Sequence, residues 1–172
     1  FQPEIRQALT NLGQNRIFAL FGELQSENLI NALLKSSESL SKREVGALVA
    51  VEKEVGLKTY IKTGSDLGAD VTPELLQTIF MSKGPLHDGG LIIQDNKVAA
   101  AGCIFPLSDR SDLPSHFGTR HRAAVGMAQE SDAFVLVISE ETGQITTVHG
   151  SQFDTDIDLE TLEDHLYMHL TE

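Results

Sequence analysis

The stretch GLIIQDNKVAAAGC, residues 90–103, decides how this chain folds. Two apolar runs, Gly90–Ile93 and Lys97–Cys103, flank the polar turn Gln94-Asp95-Asn96. Short apolar runs on either side of such a turn are typical of a β-hairpin. The stretch therefore predicts two neighbouring antiparallel strands.

Further strands are predicted on both sides of this hairpin. Gly46–Val51 has the composition of a buried strand, and Ala133–Ser139 is almost entirely apolar, as a central strand would be. Gln144–Val148 follows the turn Glu140–Gly143 and is expected to lie next to that central strand. The sheet is therefore expected to extend well beyond the hairpin.

Helices are predicted between the strands from apolar spacing and capping residues. They are expected at residues 3–12, ended by Gly13; at 27–36, capped by Ser26; from Thr72-Pro73 onward; at 120–129; and around Leu159, Leu162, Leu166 and Leu170. Because strands and helices are interleaved, the predicted fold class is α/β (α+β-like), a central mixed β-sheet flanked by helices.

The composition limits the class of partner. The 172 residues carry 13 Lys and Arg against 25 Asp and Glu, a formal net charge of -12, which argues against broad nucleic-acid binding. Cys103 is the only cysteine, so no internal disulfide forms, and we expect it to be a small buried hydrophobe in a reducing compartment. No apolar run approaches the roughly 18 residues of a membrane span. The chain starts at Phe1, which leaves open a missing N-terminal anchor.

A basic cluster, Gly118-Thr119-Arg120-His121-Arg122, stands out against this acidic background. It lies at the start of a predicted helix, where free backbone N–H groups and the helix dipole favour anions. Arginine adds planar, bidentate donors suited to phosphate oxygens. The cluster predicts a phosphate site, and the alternative is a solvated basic turn that pairs with surface carboxylates.

Two acidic motifs are candidate metal or proton-transfer sites. In Pro85-Leu86-His87-Asp88-Gly89-Gly90, the Asp88 carboxylate precedes a strand, where it could hold Mg²⁺ or Mn²⁺ or take a proton. His87 could assist a softer ion such as Mn²⁺ or Co²⁺. Ser139-Glu140-Glu141-Thr142 ends the central strand and could add a glutamate. A plain polar turn is the alternative for both motifs.

Two other patterns do not indicate metal sites. Asp154, Asp156 and Asp158 alternate as in a calcium loop, but the loop's required glycine and final glutamate are absent. His165 and His169 lack the glutamate of the zinc-protease motif and are expected on a solvated helix face.

Together the three motifs resemble one known family. Asp88-Gly89-Gly90, Gly118–Arg122 and Ser139–Thr142 have the order and spacing of the D-G-A, G-T-R-H-R and S-E-E signatures of the diadenylate cyclase (DisA-N, or DAC) domain. Further stretches resemble its membrane-anchored, CdaA-type branch: Phe1-Gln2-Pro3-Glu4, Gly46-Ala47-Leu48, Pro85-Leu86-His87-Asp88 and Ala99-Ala100-Ala101. The resemblance implies a single DAC domain over residues 1–172, with its core at about 1–160.

The resemblance also implies an activity. Members of this family condense two ATP molecules into cyclic di-AMP and two pyrophosphates, with a divalent metal (Mn²⁺, Mg²⁺ or Co²⁺) and a face-to-face homodimer. The chain would then be the cytosolic part of a protein held at the cytoplasmic face of the cell membrane. The alternatives are a non-catalytic sensor that binds adenine nucleotides and a structural dimerisation domain.

Residue roles follow from the same resemblance. Asp88 is expected at the 3′-hydroxyl and the metal, with Arg120 and His121 as its catalytic partners. Glu140 and His87 would complete the metal site. The nucleotide would contact Gly89, Gly118, Thr119, Arg120, His121, Arg122, Ser139 and Glu140, with its adenine near Ile104, Phe105 and Leu107.

Two positions depart from the family pattern. Gly90 stands where the family usually has alanine, which we expect to loosen the turn slightly. Ile104 stands where many relatives carry a tyrosine that can stack on adenine. The neighbouring Phe105 is expected to point to the opposite side of its strand, which alters the pose of the base.

Overall fold

The structure is a computed structural model that describes residues 2–81 and 83–171, so Phe1 of the N-terminal family match lies outside the described residues. Within these ranges, one seven-stranded sheet has the order β2-β4-β3-β1-β5-β6-β7. Its strands are β1 (Ala47–Val51), β2 (Ser65–Asp70), β3 (Gly90–Gln94), β4 (Lys97–Cys103), β5 (Phe134–Ile138), β6 (Ile145–His149) and β7 (Gln152–Asp154).

The centre of the sheet mixes parallel and antiparallel pairs, as predicted. β1 runs parallel to β3, with Val49 opposite Leu91, and antiparallel to β5, with Ala47 opposite Ile138. The predicted hairpin is confirmed, since β3 and β4 pair antiparallel and Gly90 lies opposite Cys103. The starts of β1 and β3 and the ends of β4 and β5 therefore meet at one edge of the sheet.

Helices cover both faces of the sheet. They are α1 (Pro3–Lys42), α2 (Lys58–Ile61), α3 (Pro73–Met81), α4 (Thr119–Glu130) and α5 (Leu159–Leu170). Helices α1, α3 and α5 bury apolar side chains against one face, and α4 packs against the other. Alternate residues of β1 supply the two cores, Val49 to the first and Leu48 to the second, because successive strand side chains point to opposite faces.

Helix α1 corrects the prediction of two helices separated at Gly13. It is one helix of 40 residues, roughly 60 Å long at 1.5 Å per residue. Gly13 is absent from the described glycines with positive φ, the conformation in which glycine ends a helix. The first part of α1 exposes large apolar side chains: Ile5, Leu9, Leu12, Ile17, Phe18, Leu20, Phe21 and Leu24.

The domain limits, with a core at about 1–160, stay a prediction. Burial in α1 begins at Leu29, and in α5 both Leu162 and Leu166 are fully buried. The buried apolar side chains therefore extend from the later part of α1 into α5. The reason is that the first part of α1 stands away from the sheet, whereas α5 packs on it.

Some elements were not predicted. β2 is an edge strand with mostly exposed residues, so it lacks the apolar alternation that identifies strands. The expected solvated face for His165 and His169 is wrong. His165 Nδ1 lies 2.9 Å from Thr147 Oγ1, and the His169 ring stacks on Phe134, because α5 lies against the sheet. Among the described helices, none is both long and apolar enough to cross a membrane.

Candidate active site

The predicted motifs converge on the sheet edge where the four strand ends meet. Asp88 and Gly89 lead into β3, and Ser139 and Glu140 follow β5. The N-terminus of α4, with Thr119 and Arg120, lies at the same edge, because these residues line cavities together with both strand ends. The antiparallel direction of β5 is what brings its end to the start of β3.

The larger cavity at this edge has a volume of about 450 Å³ and a largely apolar wall. A mainly apolar wall with a few polar groups is typical of sites for small organic ligands. The predicted residues that line it are Asp88, Gly89, Ile104, Phe105, Leu107, Thr119 and Arg120, and they are joined by Leu48, Pro85, Gly102, Cys103 and Ala123.

A smaller cavity of about 80 Å³ adjoins the first and is polar. Thr119 and Arg120 line both cavities, so the two are neighbouring parts of one site. The smaller cavity's remaining lining comes from His116, Gly118, His121, Ile138, Ser139, Glu140 and Glu141. The site thus joins an apolar compartment to a polar one at a helix N-terminus.

Arg120 is the centre of this site. Its Nη1 lies 3.0 Å from Glu140 Oε2, while its Nε is buried without a hydrogen-bond partner. Buried donors are almost always paired, so an unpaired guanidinium N–H indicates room for an acceptor. The N-cap residue Gly118 provides no side-chain cap, which leaves the first N–H groups of α4 available to the same acceptor. A phosphate group fits these donors.

Ser139 organises the turn that carries Glu140. Its hydroxyl accepts hydrogen bonds from the backbone N–H groups of Glu141 and Thr142, at 3.2 and 3.3 Å. Gly143 closes the turn with φ 73°, and Ser41 of α1 donates a hydrogen bond to its carbonyl at 2.6 Å. Glu140 therefore projects from a fixed turn towards Arg120.

Gly46 lies beneath the Arg120–Glu140 pair. A Cβ at this position would stand 2.9 Å from Arg120 Cζ and 2.9 Å from Glu140 Cβ, closer than such atoms approach in proteins. Only the bare backbone of glycine leaves room for the pair. Gly46 therefore fixes where the guanidinium lies.

Substituting Gly46→Ala should displace Arg120 and weaken the activity that the sequence resemblance implies by about 10- to 100-fold, since a shift near 1 Å at a reacting centre has effects of that size. Titration calorimetry with ATP, the ligand that the resemblance implies, and a turnover assay measure the effect. Gly56→Ala is the matched control, because nothing lies within 4 Å of a Cβ there. Equal activity of the Gly46 and Gly56 variants would contradict this role.

His121 differs from the expectation of a cationic ligand. Its ring is 7 % exposed and stacks on Phe117, with ring centroids 4.5 Å apart. Burial, followed by the charges of His116 and Arg120, lowers the pKa of His121 to about 4. His121 is therefore neutral at pH 7 and adds no positive charge to the cluster, although it still lines the smaller cavity.

The depressed pKa of His121 makes stability depend on pH. The unfolded chain, with a histidine pKa near 6.5, binds a proton more readily than the folded one. Stability from this group is complete above that value and falls as the pH drops towards 4, by about 2 kcal/mol at pH 5. Urea unfolding at pH 7 and pH 5 measures the loss. His121→Gln should lose less between the two pH values, and an identical loss would contradict this assignment.

Arg122 lies outside both cavities. It lines neither cavity, and its Nη1 donates a hydrogen bond to the Ser108 carbonyl at 3.4 Å. Successive helical residues are separated by about 100°, so Arg120 and Arg122 diverge. That both arginines meet the phosphates stays a prediction, and of the two only Arg120 lines the cavities.

The three expected metal ligands do not come together. Asp88 lines the larger cavity and Glu140 the smaller, whereas His87 lines neither and its Nδ1 contacts the Gly84 carbonyl. Among residues 2–81 and 83–171, no group of three or more His, Cys, Asp or Glu side chains is placed to hold a metal. Asp88 and Glu140 do have the carboxylate oxygens that a hard divalent ion prefers, and such an ion can take its other ligands from phosphates and water.

Comparison with known proteins agrees with this geometry. Residues 34–153 match the profile of the DAC family, described as DisA bacterial checkpoint controller nucleotide-binding. The chain belongs to the DAC family. The diadenylate cyclase of Listeria monocytogenes is 42% identical over 165 residues, covering 94% of this chain and 60% of that protein.

Two further relatives support membership of the DAC family. The cyclic di-AMP synthase CdaA of Bacillus subtilis is 40% identical over 96% of this chain and 62% of its own length. The crystal structure of a DacA double mutant from Staphylococcus aureus superposes with a TM-score of 0.83 at 43% identity, covering 85% of this chain and 97% of that one. The chain thus spans about three fifths of the length of the curated relatives it matches.

The departures from the DAC pattern take a specific form in the structure. Ile104 is 71% exposed and Phe105 only 5%, yet both line the larger cavity, just after β4 ends at Cys103. Cys103 is fully buried, as expected, and burial raises the pKa of its thiol to about 11. The thiol is therefore protonated at pH 7 and unsuited to act as a nucleophile.

Several lining residues of this DAC site were not predicted. Leu48 belongs to a stretch that resembles the family, and its position inside a buried strand gave no sign of a site. Gly46, which lies beneath Arg120 without lining a cavity, belongs to the same stretch. His116 and Ala123 flank the basic cluster and were not predicted as site residues. The signal that could have found them is proximity to Thr119 and Arg120 on the start of α4.

Proposed function

We propose that this chain is a diadenylate cyclase, which condenses two ATP molecules into cyclic di-AMP and two pyrophosphates. The observation that carries the proposal is Arg120. Arg120 lines both an apolar cavity and a polar one at an uncapped helix N-terminus, and its Nε is buried without a hydrogen-bond partner. Membership of the DAC family, whose relatives are named for diadenylate cyclase or cyclic di-AMP synthase activity, adds to this support.

One ATP would occupy both compartments of the site. Its adenine fits the apolar wall of the larger cavity, which includes Ile104, Phe105 and Leu107. Its phosphates would lie against Gly118, Thr119 and Arg120 at the start of α4. Gly89, with φ 92° and the Cys103 carbonyl 2.6 Å from where a Cβ would lie, lets its backbone pack against the end of β4 at the wall of the larger cavity.

The reaction joins two such nucleotides. The 3′-oxygen of each ATP forms a bond to the α-phosphorus of the other, the α–β phosphoanhydride bond breaks, and pyrophosphate leaves. The hydroxyl proton passes to Asp88, whose exposed carboxylate lines the larger cavity. The Arg120 guanidinium offsets the charge that develops on the phosphate oxygens.

Cyclisation requires a second subunit. The two cavities at this sheet edge share Thr119 and Arg120 and so form one nucleotide site per chain. Two copies that face each other bring two ATP molecules together, and holding both in line replaces an improbable encounter in solution. The active species is therefore a homodimer.

A divalent ion would be held by Asp88 and Glu140, together with phosphate oxygens. Mn²⁺, Mg²⁺ and Co²⁺ all accept such ligands. When bound, the ion offsets negative charge on the phosphates and the departing pyrophosphate. Glu140 also pairs with Arg120, which keeps both side chains at the site.

We also propose that the chain forms a single DAC domain of a membrane-anchored protein. A structure titled as a hypothetical membrane spanning protein from Bacillus cereus superposes with a TM-score of 0.71 at 38% identity, covering 74% of this chain and 63% of that one. ATP is available in the cytoplasm, so the domain would lie at the cytoplasmic face of the cell membrane.

The deciding experiment incubates the protein with ATP and Mn²⁺, Mg²⁺ or Co²⁺ and resolves the products by chromatography. We expect cyclic di-AMP and pyrophosphate, at a specific rate that rises with protein concentration because the dimer is the active species. Thermal stabilisation by ATP without any cyclic product would instead indicate a nucleotide sensor. No product and no stabilisation would indicate a structural domain.

A further inference from the structure

Position 90 has no room for a side chain, which is why a glycine stands there. It is the first residue of β3, and it is absent from the described residues with positive φ, so its backbone would accept any side chain. A Cβ at this position would lie 2.3 Å from Phe105 Cζ and 2.6 and 2.7 Å from the two Cε atoms. The Phe105 ring therefore occupies the volume where a side chain of residue 90 would be.

The Phe105 ring is largely buried in the core beside the site. It is 5% exposed and belongs to the apolar cluster between the sheet and α4, which also contains Leu48, Ala123 and Ala124. The same residue lines the larger cavity beside Asp88 and Gly89. Phe105 therefore belongs both to the rigid core and to the wall of the site.

The turn that carries Asp88 rests on the same segment. A Cβ at Gly89 would lie 2.6 Å from the Cys103 carbonyl oxygen, and one at Gly102 would lie 3.6 Å from the Asp88 carbonyl oxygen. Gly90 pairs with Cys103 across the hairpin. The backbone from Asp88 to Gly90 thus lies directly on residues 102–105.

We propose that Phe105 is a positioning residue, whose ring rests on the bare backbone of Gly90 and sets where the Asp88-Gly89 turn stands relative to the larger cavity. This deepens the proposed function and rests on it, since Asp88 is the group that would act on the nucleotide. The glycine at 90 and the aromatic ring at 105 form a size-matched pair. A change in the size of either side chain alone disturbs their packing. A change of opposite sign in the size of the other side chain restores it.

The test compares Gly90→Ala, Phe105→Leu and the double variant with the wild type. Gly90→Ala should lower kcat by about 10- to 100-fold through displacement of Asp88. The KM for ATP should change much less, because Arg120 and the α4 N-terminus are untouched. The double variant should regain most of the lost kcat, since leucine lacks the ring atoms that meet the added Cβ.

Two control variants separate this role from general effects on the core. Gly56→Ala adds a Cβ where nothing lies within 4 Å, and Phe80→Leu removes a buried ring from the cluster on the other face of the sheet. Both should keep the wild-type kcat. Full activity of Gly90→Ala, or a double variant no faster than Gly90→Ala, would overturn the proposal.

A second readout does not depend on activity. In amide NMR spectra, Gly90→Ala should shift the Asp88 and Gly89 resonances, and the double variant should bring them back towards their wild-type positions. If the wild type makes no cyclic di-AMP, the proposed function fails while this readout still decides the positioning role. If Gly90→Ala does not fold, a folded double variant supports the pair, and an unfolded one beside a folded Phe105→Leu overturns it.

Discussion

Asp88→Asn should lower cyclic di-AMP formation by about 100- to 10,000-fold while leaving the fold intact, which is the range expected when a general base is removed. Asparagine keeps the shape of aspartate but neither accepts the proton nor holds a divalent ion with a negative charge. Asp88 is exposed at the cavity wall, so the change should alter the free energy of unfolding by no more than about 0.5 kcal/mol. Product chromatography and thermal unfolding measure the two effects.

Asp95→Asn is the matched control for this prediction. Asp95 lies in the β3–β4 turn with φ 51°, a conformation that asparagine also adopts readily. It lines neither cavity of the candidate site. The control should retain full activity, and substantial cyclisation by Asp88→Asn would remove Asp88 from the essential residues.

Arg120→Ala should lower kcat/KM by about 100- to 1,000-fold, the usual effect of removing a group that stabilises charge in the transition state. The substitution removes the guanidinium that faces both cavities. Glu140 loses its partner, but its side chain is 64% exposed, so water can solvate it at little cost in stability. Steady-state kinetics and ATP titration calorimetry measure the loss.

Arg122→Ala provides the comparison that tests the geometry of the cluster. The sequence alone treats Arg120 and Arg122 as equivalent phosphate ligands, whereas only Arg120 faces the cavities. We expect Arg122→Ala to lower kcat/KM by far less than Arg120→Ala. Equal losses would show that Arg122 turns towards the nucleotide when it binds.

Local patterns were enough to predict the centre of the fold. The β3–β4 hairpin and the strand at β5 follow from short apolar runs and the turns beside them. The amphipathic helices α3 and α5 follow from the spacing of their leucines. These signals come from residues close together in the chain, so they can be interpreted without knowing the tertiary structure.

The errors have tertiary causes. β2 is held by pairing with β4 and has no apolar pattern of its own. Gly13 does not end a helix, because its backbone does not adopt the positive φ with which glycine ends helices. His121 looks like a cation beside two arginines, but its ring stacks on Phe117 in the core. The motifs thus identified which residues form the site, and packing decided which of them face it.

The sheet edge that gathers the site has a practical consequence for anyone refolding or redesigning this protein. A slip of one residue in the pairing of β1, β3 or β5 would turn the side chains of that strand to the wrong face. Such a chain would keep a near-native circular dichroism spectrum, but Asp88, Arg120 and Glu140 would no longer lie together at one edge of the sheet. An activity assay is therefore a more sensitive test of correct strand register than any spectroscopic measure of secondary-structure content.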